Sequence, residues 1–159
     1  MGDATDTHHA TAIAVGTAAA LILGPSGSGK SDLALRCLAL APTPLLPQAP
    51  VLIADDRVFI ERVGPRLRVK APASIIGQIE VRGLGIVPVP HRAAADLVIA
   101  VELAAPQAVE RLPDPIPTWE WEGVAIPLLR LAPFEASAPV KLMLALMQVV
   151  RGLDNQQET

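Results

Sequence analysis

Short apolar stretches, separated by polar or turn-forming residues, run along the whole chain and predict β-strands. Continuous apolar runs such as Leu97–Val101 are typical of buried strands, whereas the alternation in Arg66–Lys70 is typical of a strand with one exposed face. Turns that contain Gly16 and Gly64 separate neighbouring strands and predict two hairpins. The predicted strands are His9–Val15, Ala18–Leu23, Val51–Ala54, Val58–Val63, Arg66–Lys70, Ala95–Leu103 and Val124–Leu131.

Two stretches have helical spacing of their apolar residues. The first begins at Lys30 and is expected to stop near Ala41, because the prolines of segment 42–50 cannot donate hydrogen bonds within a helix or sheet. That segment is expected to form a surface loop. The second, Pro139–Val150, is apolar almost all round, so we expect it to be buried by this chain or by another subunit, with Gly152 ending it.

The two tryptophans lie in a strictly alternating stretch. The pattern in Thr118–Glu122 predicts that Trp119 and Trp121 share one face of a strand, with Glu120 and Glu122 on the other. A ligand platform is one interpretation of such a pair. A core or subunit contact is the favoured one, because large apolar side chains are usually buried.

Composition predicts one domain built on an aliphatic core. The chain has 159 residues, of which 51% are hydrophobic and only 3% aromatic. We predict a single domain over residues 9–152, a disordered N-terminus over residues 1–8 and a flexible tail over residues 153–159. The formal charge is −3 and the arginines are scattered, so no nucleic-acid-binding surface is predicted.

Cysteine usage and hydropathy argue against an internal disulfide, a zinc site and a membrane or signal segment. The lone Cys37 excludes an internal disulfide, and no Cys/His cluster suggests zinc. The apolar stretch Ile13–Leu23 is the one candidate for a membrane or signal segment. It lacks a basic flank and leads directly into a glycine-rich loop, so strands are the better interpretation. We therefore expect no membrane association and a cytoplasmic location.

The glycine-rich loop fits the phosphate-binding pattern G-x-x-x-x-G-K-[ST] without a gap. Its glycines allow positive φ angles that bring backbone N–H groups toward one point, and the following helix directs its positive dipole end there. In this pattern Lys30 contacts the β- and γ-phosphates and Ser31 ligates Mg²⁺. The predicted nucleotide-binding residues are Gly24, Pro25, Ser26, Gly27, Ser28, Gly29, Lys30 and Ser31.

A pair of carboxylates, Asp55 and Asp56, follows the predicted strand Val51–Ala54. Parallel α/β sheets place ligand chemistry at the carboxyl ends of their strands, so this pair is the second candidate for the site. It fits a base that acts on an acceptor hydroxyl, and it fits equally a Mg²⁺ site of an ordinary ATPase.

In their order along the chain, these motifs resemble the kinase domain of HPr kinase/phosphorylase. The family has a His that opens a strand before the loop, then G-x-S-G-x-G-K-S, V-A-D-D and E-I-R-G-L-G-I; here the counterparts are His9, the loop, Ile53–Asp56 and Glu80–Ile86. The resemblance covers roughly His9 to Arg111. It implies an α/β P-loop kinase core related to the phosphoenolpyruvate carboxykinase type, with a mixed sheet and flanking helices.

The resemblance also implies roles for single residues. Lys30 holds the transferring phosphate, Ser31 and Glu80 serve Mg²⁺, and one carboxylate of the Asp55–Asp56 pair accepts the proton of the substrate serine. His9 pairs with that carboxylate, and Arg111 corresponds to a functionally important arginine. The implied donor is ATP or pyrophosphate, the implied acceptor is an HPr-like phosphocarrier protein, and the implied assembly is a homohexamer.

Three departures from the family pattern limit these implications. The N-terminal regulatory domain is expected to be missing, the segments at 42–50 and 88–92 differ in length, and Leu129–Ala136 replaces an R-P-G-R-N-like segment associated with dephosphorylation. Phosphorylase activity is therefore in doubt.

Other interpretations of the chain stay open. They are a small-molecule kinase or ATPase, or a nucleotide-binding regulatory module without turnover. By itself, His9 also fits a solvated histidine, and Glu80 and Arg82 fit a simple ion pair. GTP specificity has no support, because no N-K-x-D motif occurs.

Overall fold

Within residues 7–158, which the computed structural model describes, the chain forms an eight-stranded mixed sheet, a two-stranded sheet and two α-helices. The strands are β1 (Thr11–Val15), β2 (Ala18–Leu23), β3 (Val51–Ala54), β4 (Phe59–Val63), β5 (Arg66–Lys70), β6 (Gln78–Val81), β7 (Gly85–Pro88), β8 (Ala94–Leu103), β9 (Thr118–Trp121) and β10 (Val124–Leu131). The helices are α1 (Lys30–Leu38) and α2 (Ala138–Gln157). The predicted α/β class with a mixed sheet and flanking helices is confirmed.

The strand order brings several chain ends to one edge of the large sheet. The order is β3-β1-β2-β8-β10-β9, and β5 pairs with the first part of β8 and with β4. Strands β2, β8 and β10 are parallel, and β1 runs antiparallel to both of its neighbours, β2 and β3. The carboxyl ends of β2, β3, β8 and β10 therefore lie at the same edge as the amino end of β1.

Alternation along the strands divides the core into two layers. On one face, Ile13 and Ile22 pack in a cluster with Leu33 of α1 and Leu142 of α2. Side chains of the opposite face, such as Leu21, pack against the β4–β5 hairpin and the tryptophans of β9 in a second cluster. Both helices thus cover the same face of the sheet, and burial of these aliphatic side chains stabilises the fold by about 1.5–3 kcal/mol each.

The second helix is longer than its sequence pattern predicts. We expected Gly152 to end it, but α2 continues to Gln157. A glycine within a helix costs only about 1 kcal/mol relative to alanine, so it does not by itself end a helix that packing already holds. Residues 153–157 are therefore helical rather than a flexible tail. Of the predicted disordered N-terminus, residues 1–6 lie outside the described residues, whereas His8 is ordered and pairs with Val58 through backbone hydrogen bonds. Residue 159 of the predicted tail also lies outside the described residues.

Other elements agree with the sequence apart from their ends. Helix α1 stops at Leu38, three residues before the expected Ala41. Two elements come in addition to the strands and helices predicted above: Ala73–Ile75 forms a short 3-10 helix, and strands β6 and β7 form a hairpin over Gln78–Pro88. Neither helix described between residues 7 and 158 is long and apolar enough to cross a membrane.

Candidate active site

The glycine-rich loop between β2 and α1 lines a cleft at the sheet edge where the strand ends meet. Gly27 and Gly29 have φ angles of +79° and +100°, which residues with a Cβ rarely adopt. At Gly29 a Cβ would also lie 3.1 Å from ring atoms of Phe134. Both the backbone conformation and the available space therefore favour glycine at position 29.

Lys30, the first residue of α1, is buried beneath this loop with 6% of its surface exposed. Its Nζ donates hydrogen bonds to the carbonyl oxygens of Gly24 at 2.7 Å and Pro25 at 3.0 Å. Burial lowers the pKa of the Lys30 ammonium group, and the carboxylates of Asp56 and Asp55 oppose that effect. The loop carbonyls thus hold a positive charge at the side of the cleft.

The Asp55 carboxylate accepts hydrogen bonds from three different elements. Its Oδ1 accepts from the Ser31 hydroxyl at 2.6 Å and the Thr11 hydroxyl at 3.1 Å. Its Oδ2 accepts from the backbone N–H of Glu80 at 3.1 Å. Since Asp55 is only 6% exposed, these donors fix its orientation and connect β1, α1 and β6 beside the loop.

The next residue, Asp56, has the opposite environment. Its side chain is 64% exposed, and its Oδ1 lies 2.6 Å from Nε2 of His9, which precedes β1. Its backbone has a φ angle of +68° and its N–H donates to Oγ1 of Thr11 at 3.3 Å. A positive φ at a residue other than glycine costs about 1–3 kcal/mol and is common at functional sites. This turn separates the two neighbouring carboxylates, one buried and one facing the cleft.

The cleft itself has a volume of about 440 Å³ and combines the loop, the His9–Asp56 pair and strand β6. Glu80 and Arg82 border it from the β6 side, and no ion pair between these two side chains is present in residues 7–158. Its lining residues are His9, Ser26, Gly27, Gly29, Lys30, Ser31, Asp32, Leu35, Asp56, Glu80, Val81, Arg82 and Phe134.

Oxygen donors in and beside this cleft fit a magnesium ion. The Ser31 hydroxyl and the Asp55 carboxylate are 2.6 Å apart, and Glu80 lies at the cleft wall. Among the described residues, no group of three or more His, Cys, Asp or Glu side chains is arranged to hold a metal. Mg²⁺ does not need such a cage, because it keeps several waters and binds through one or two carboxylates together with substrate phosphates.

Eight of the residues singled out from sequence line this cleft: His9, Ser26, Gly27, Gly29, Lys30, Ser31, Asp56 and Glu80. Asp55 contacts Ser31 beside it, whereas Gly24, Pro25 and Ser28 of the loop do not line it. Arg111 lies in an exposed segment between β8 and β9 and does not line the cleft, so its role stays a prediction. Sequence reasoning missed Thr11 and Phe134. A signal for Thr11 was available, because residues two apart on a strand share a face and Thr11 follows His9 by two positions. The position of Phe134, 105 residues after Gly29, had no comparable signal.

Comparisons with known proteins identify the family of this chain. The model of the family described as HPr Serine kinase C-terminal domain matches residues 3–148. The HPr kinase/phosphorylase of Mycoplasmopsis pulmonis is 38% identical over 81 residues, covering 51% of this chain and 24% of that relative. That of Caldicellulosiruptor bescii is 39% identical over 84 residues, covering 52% and 24%. The aligned segments thus span about a quarter of the length of these relatives.

A solved structure supports the fold over nearly the whole chain. The Hpr(Ser) kinase/phosphatase of Coxiella burnetii superposes with a TM-score of 0.72, covering 98% of this chain and 100% of that one, at 20% sequence identity. At this identity the likeness shows the fold alone. Because the family model matches almost the entire sequence, the chain belongs to the HPr Serine kinase C-terminal domain family.

Proposed function

We propose that this protein is an ATP- and Mg²⁺-dependent protein serine kinase whose acceptor is an HPr-like phosphocarrier protein of a bacterial phosphotransferase system. The observation that carries the proposal is the His9–Asp56 pair, whose 2.6 Å contact lies in the same cleft as Lys30. Family membership supports the reaction type. We place the reaction in the cytoplasm, where ATP and Mg²⁺ are available.

Phosphoryl transfer relies on positioning and charge neutralisation, and the cleft residues divide these tasks. Lys30 and the loop N–H groups bind the β- and γ-phosphates. Ser31, Asp55 and Glu80 would hold Mg²⁺, which when bound neutralises charge on the phosphates.

Asp56 acts as the base for the acceptor. Of the two neighbouring carboxylates, only that of Asp56 is largely exposed, so an incoming serine hydroxyl can reach it. It accepts the hydroxyl proton, and His9 holds the carboxylate in place and stabilises its charge. Asp55 already accepts three hydrogen bonds, which suits a metal-binding or structural role better than that of a base.

The main rival is an ATPase or small-molecule kinase that uses the same loop. Incubation with labelled ATP, Mg²⁺ and the host's HPr-like proteins, followed by mapping of phosphoserine, separates the two. We expect one labelled serine on such a carrier. Labelled inorganic phosphate without labelled protein would refute the kinase.

Matched variants of the two carboxylates test the division of roles. Asp56→Asn should lower transfer about 100-fold or more while Mg²⁺-nucleotide binding persists. Asp55→Asn should weaken Mg²⁺-nucleotide binding in parallel with transfer. Parallel loss of binding and transfer in Asp56→Asn would instead make Asp56 part of the metal site.

We further infer that the phosphorylase reaction is weak. Attack of inorganic phosphate on phosphoserine brings two dianions together, which requires additional cations or N–H donors. In segment 129–136 the one cation is Arg130, whose Nε lies 3.7 Å from Glu102, while Glu135 adds a negative charge. Phosphoserine-HPr, phosphate and Mg²⁺ without nucleotide should therefore release little pyrophosphate. Release as fast as the forward reaction would contradict this.

The protein is also proposed to form a homo-oligomer, a hexamer by family resemblance. Leu84 and Ile86 of the β6–β7 hairpin are largely exposed apolar side chains, which supports a contact surface there. Light scattering of the purified chain tests the assembly, and a monomer at micromolar concentration would refute it.

A further inference from the structure

A second cleft, about 470 Å³ in volume, lies on the other side of the phosphate loop from the His9–Asp56 pair. Its lining is mostly aliphatic and aromatic, and Phe134 borders both this cleft and the first one. The lining residues are Pro25, Ser28, Leu103, Ala104, Ala105, Pro106, Ala132, Pro133, Phe134 and Glu135. We call it the apolar cleft.

The apolar cleft is held open by contacts within the chain. The Arg36 guanidinium of α1 donates to the carbonyl oxygen of Pro133, and the backbone N–H of Ala104 donates to Leu131 at 3.0 Å. Lys141 pairs with Glu135 at 2.7 Å. These contacts fix both segments that form the walls, so the cleft is preformed.

Strand order sets the direction in which a nucleotide must lie. At the reactive edge the Asp55–Asp56 pair follows β3, the loop follows β2, and the walls of the apolar cleft follow β8 and β10. For transfer, the γ-phosphate must face Asp56, which lies on the β3 side of the loop. The other end of a nucleoside triphosphate then extends toward β8 and β10, where the apolar cleft begins.

We propose that the apolar cleft binds the base of a purine nucleoside triphosphate, with Phe134 as its aromatic contact. This assignment rests on the phosphate site of the proposed function. Phe134 is 75% exposed and borders both clefts, so its ring is accessible to a ligand that extends from one cleft into the other. A base that covers the ring would remove this apolar surface from water.

The chemistry of the lining predicts weak discrimination between adenine and guanine. Among the described residues that line the cleft, only Ser28 and Glu135 have polar side chains. The Glu135 carboxylate is engaged by Lys141, and Ser28 Oγ is buried without a hydrogen-bond partner in residues 7–158. Adenine and guanine differ in their polar substituents, and a site that contacts the base mainly through apolar surface discriminates poorly between them. ATP and GTP should therefore bind with affinities within about tenfold of each other.

The test uses a cleft-filling variant with a matched control. Ala105→Trp places a large side chain in the apolar cleft, whereas Ala108→Trp makes the same change at an exposed position that does not line it. Titration calorimetry with Mg²⁺ then compares ATP, GTP and pyrophosphate as ligands. Pyrophosphate reports the phosphate site alone.

We expect Ala105→Trp to weaken both nucleotides by about tenfold or more, since the indole fills the space of the base and removes the contact between the base and Phe134. Its pyrophosphate affinity should match that of the wild type, and Ala108→Trp should change none of the three. Phe134→Ala should weaken both nucleotides as well, but Phe134 also borders the first cleft, so Ala105→Trp is the variant that separates the base from the phosphates.

Three results would overturn the proposal. They are unchanged nucleotide affinity in Ala105→Trp, equal loss of pyrophosphate and nucleotide affinity, and wild-type protein that binds ATP no more tightly than inorganic tripolyphosphate. Failure of the kinase proposal is recognised separately, because these measurements report binding and need no acceptor protein.

Discussion

Thr11→Val tests whether a buried hydroxyl positions both carboxylates. Thr11 has no exposed surface, its Oγ1 donates to Asp55 at 3.1 Å, and it accepts from the N–H of Asp56 at 3.3 Å. Valine has nearly the same shape but no hydroxyl. The substitution therefore removes two hydrogen bonds while the packing of β1 is kept.

The expected loss of stability follows from the groups to which the Thr11 hydroxyl is hydrogen-bonded. A hydrogen bond to a charged group contributes about 1.5–3 kcal/mol, and an unsatisfied buried N–H costs about 1–3 kcal/mol. These contributions overlap, so we expect Thr11→Val to lower the free energy of unfolding by about 2–4 kcal/mol. Thr11→Ser keeps the hydroxyl and deletes one buried methyl group, which should cost about 1 kcal/mol.

Activity should follow the same order as stability. Without the Thr11 hydroxyl the positive-φ turn at Asp56 loses a support, so kcat should fall about tenfold in Thr11→Val. Mg²⁺-nucleotide affinity should fall as well, but less than in Asp55→Asn, because Asp55 loses one of its three donors. Urea unfolding and kinase assays on both variants supply the measurements. If Thr11→Val is as stable and as active as Thr11→Ser, the hydroxyl does not position the carboxylates.

Three further predictions concern single side chains. Burial raises the pKa of the Cys37 thiol to about 12, so a thiol reagent at pH 8 should label it only after unfolding; rapid labelling of folded protein would contradict this. Gly29→Ala should weaken pyrophosphate binding, because the added Cβ meets the Phe134 ring beside the phosphate loop. Gly16→Ala is the control: Gly16 also has a positive φ, but no atom lies within 4 Å of an added Cβ, so the change should affect stability alone. Burial, with a smaller effect of the neighbouring histidine, lowers the pKa of His8 below 6.5, so the native state binds fewer protons there than the unfolded chain. Stability should then fall as the pH drops below about 6.5, and urea unfolding of His8→Phe should show a smaller fall.

The parts of the fold that depend on local sequence were predictable. The strand, loop and helix around Lys30 follow from glycine conformations and apolar spacing within a short segment, and their observed positions differ from expectation only at the helix end. The alternation around Trp119 and Trp121 correctly predicted that the two rings share a face, and they stack with centroids 5.7 Å apart. Each of these features depends on neighbours along the chain.

Contacts between distant parts of the chain determine two features that the sequence pattern left open, the environments of the two aspartates and the end of α2. Asp55 and Asp56 are chemically alike, and sequence alone did not separate their roles. The structure gives them different environments, because Thr11, Ser31 and the backbone of Glu80, from three separate elements, all donate to Asp55. The extension of α2 past Gly152 has a similar origin, since packing of the preceding turns holds the helix against the sheet.

The antiparallel direction of β1 explains how a histidine from the start of the domain reaches this site. Strand β1 lies between β2 and β3, which run parallel to each other, and only the reversed direction brings its amino end to the edge where those two strands end. His9 and Asp56 are 47 positions apart in sequence, yet the backbone hydrogen bonds between His8 and Val58 align their segments beside each other. A parallel β1 would carry His9 to the opposite edge, away from the phosphate loop. The pairing of histidine with carboxylate is therefore a consequence of strand direction, and the order of motifs along the chain reveals it only when that direction is known.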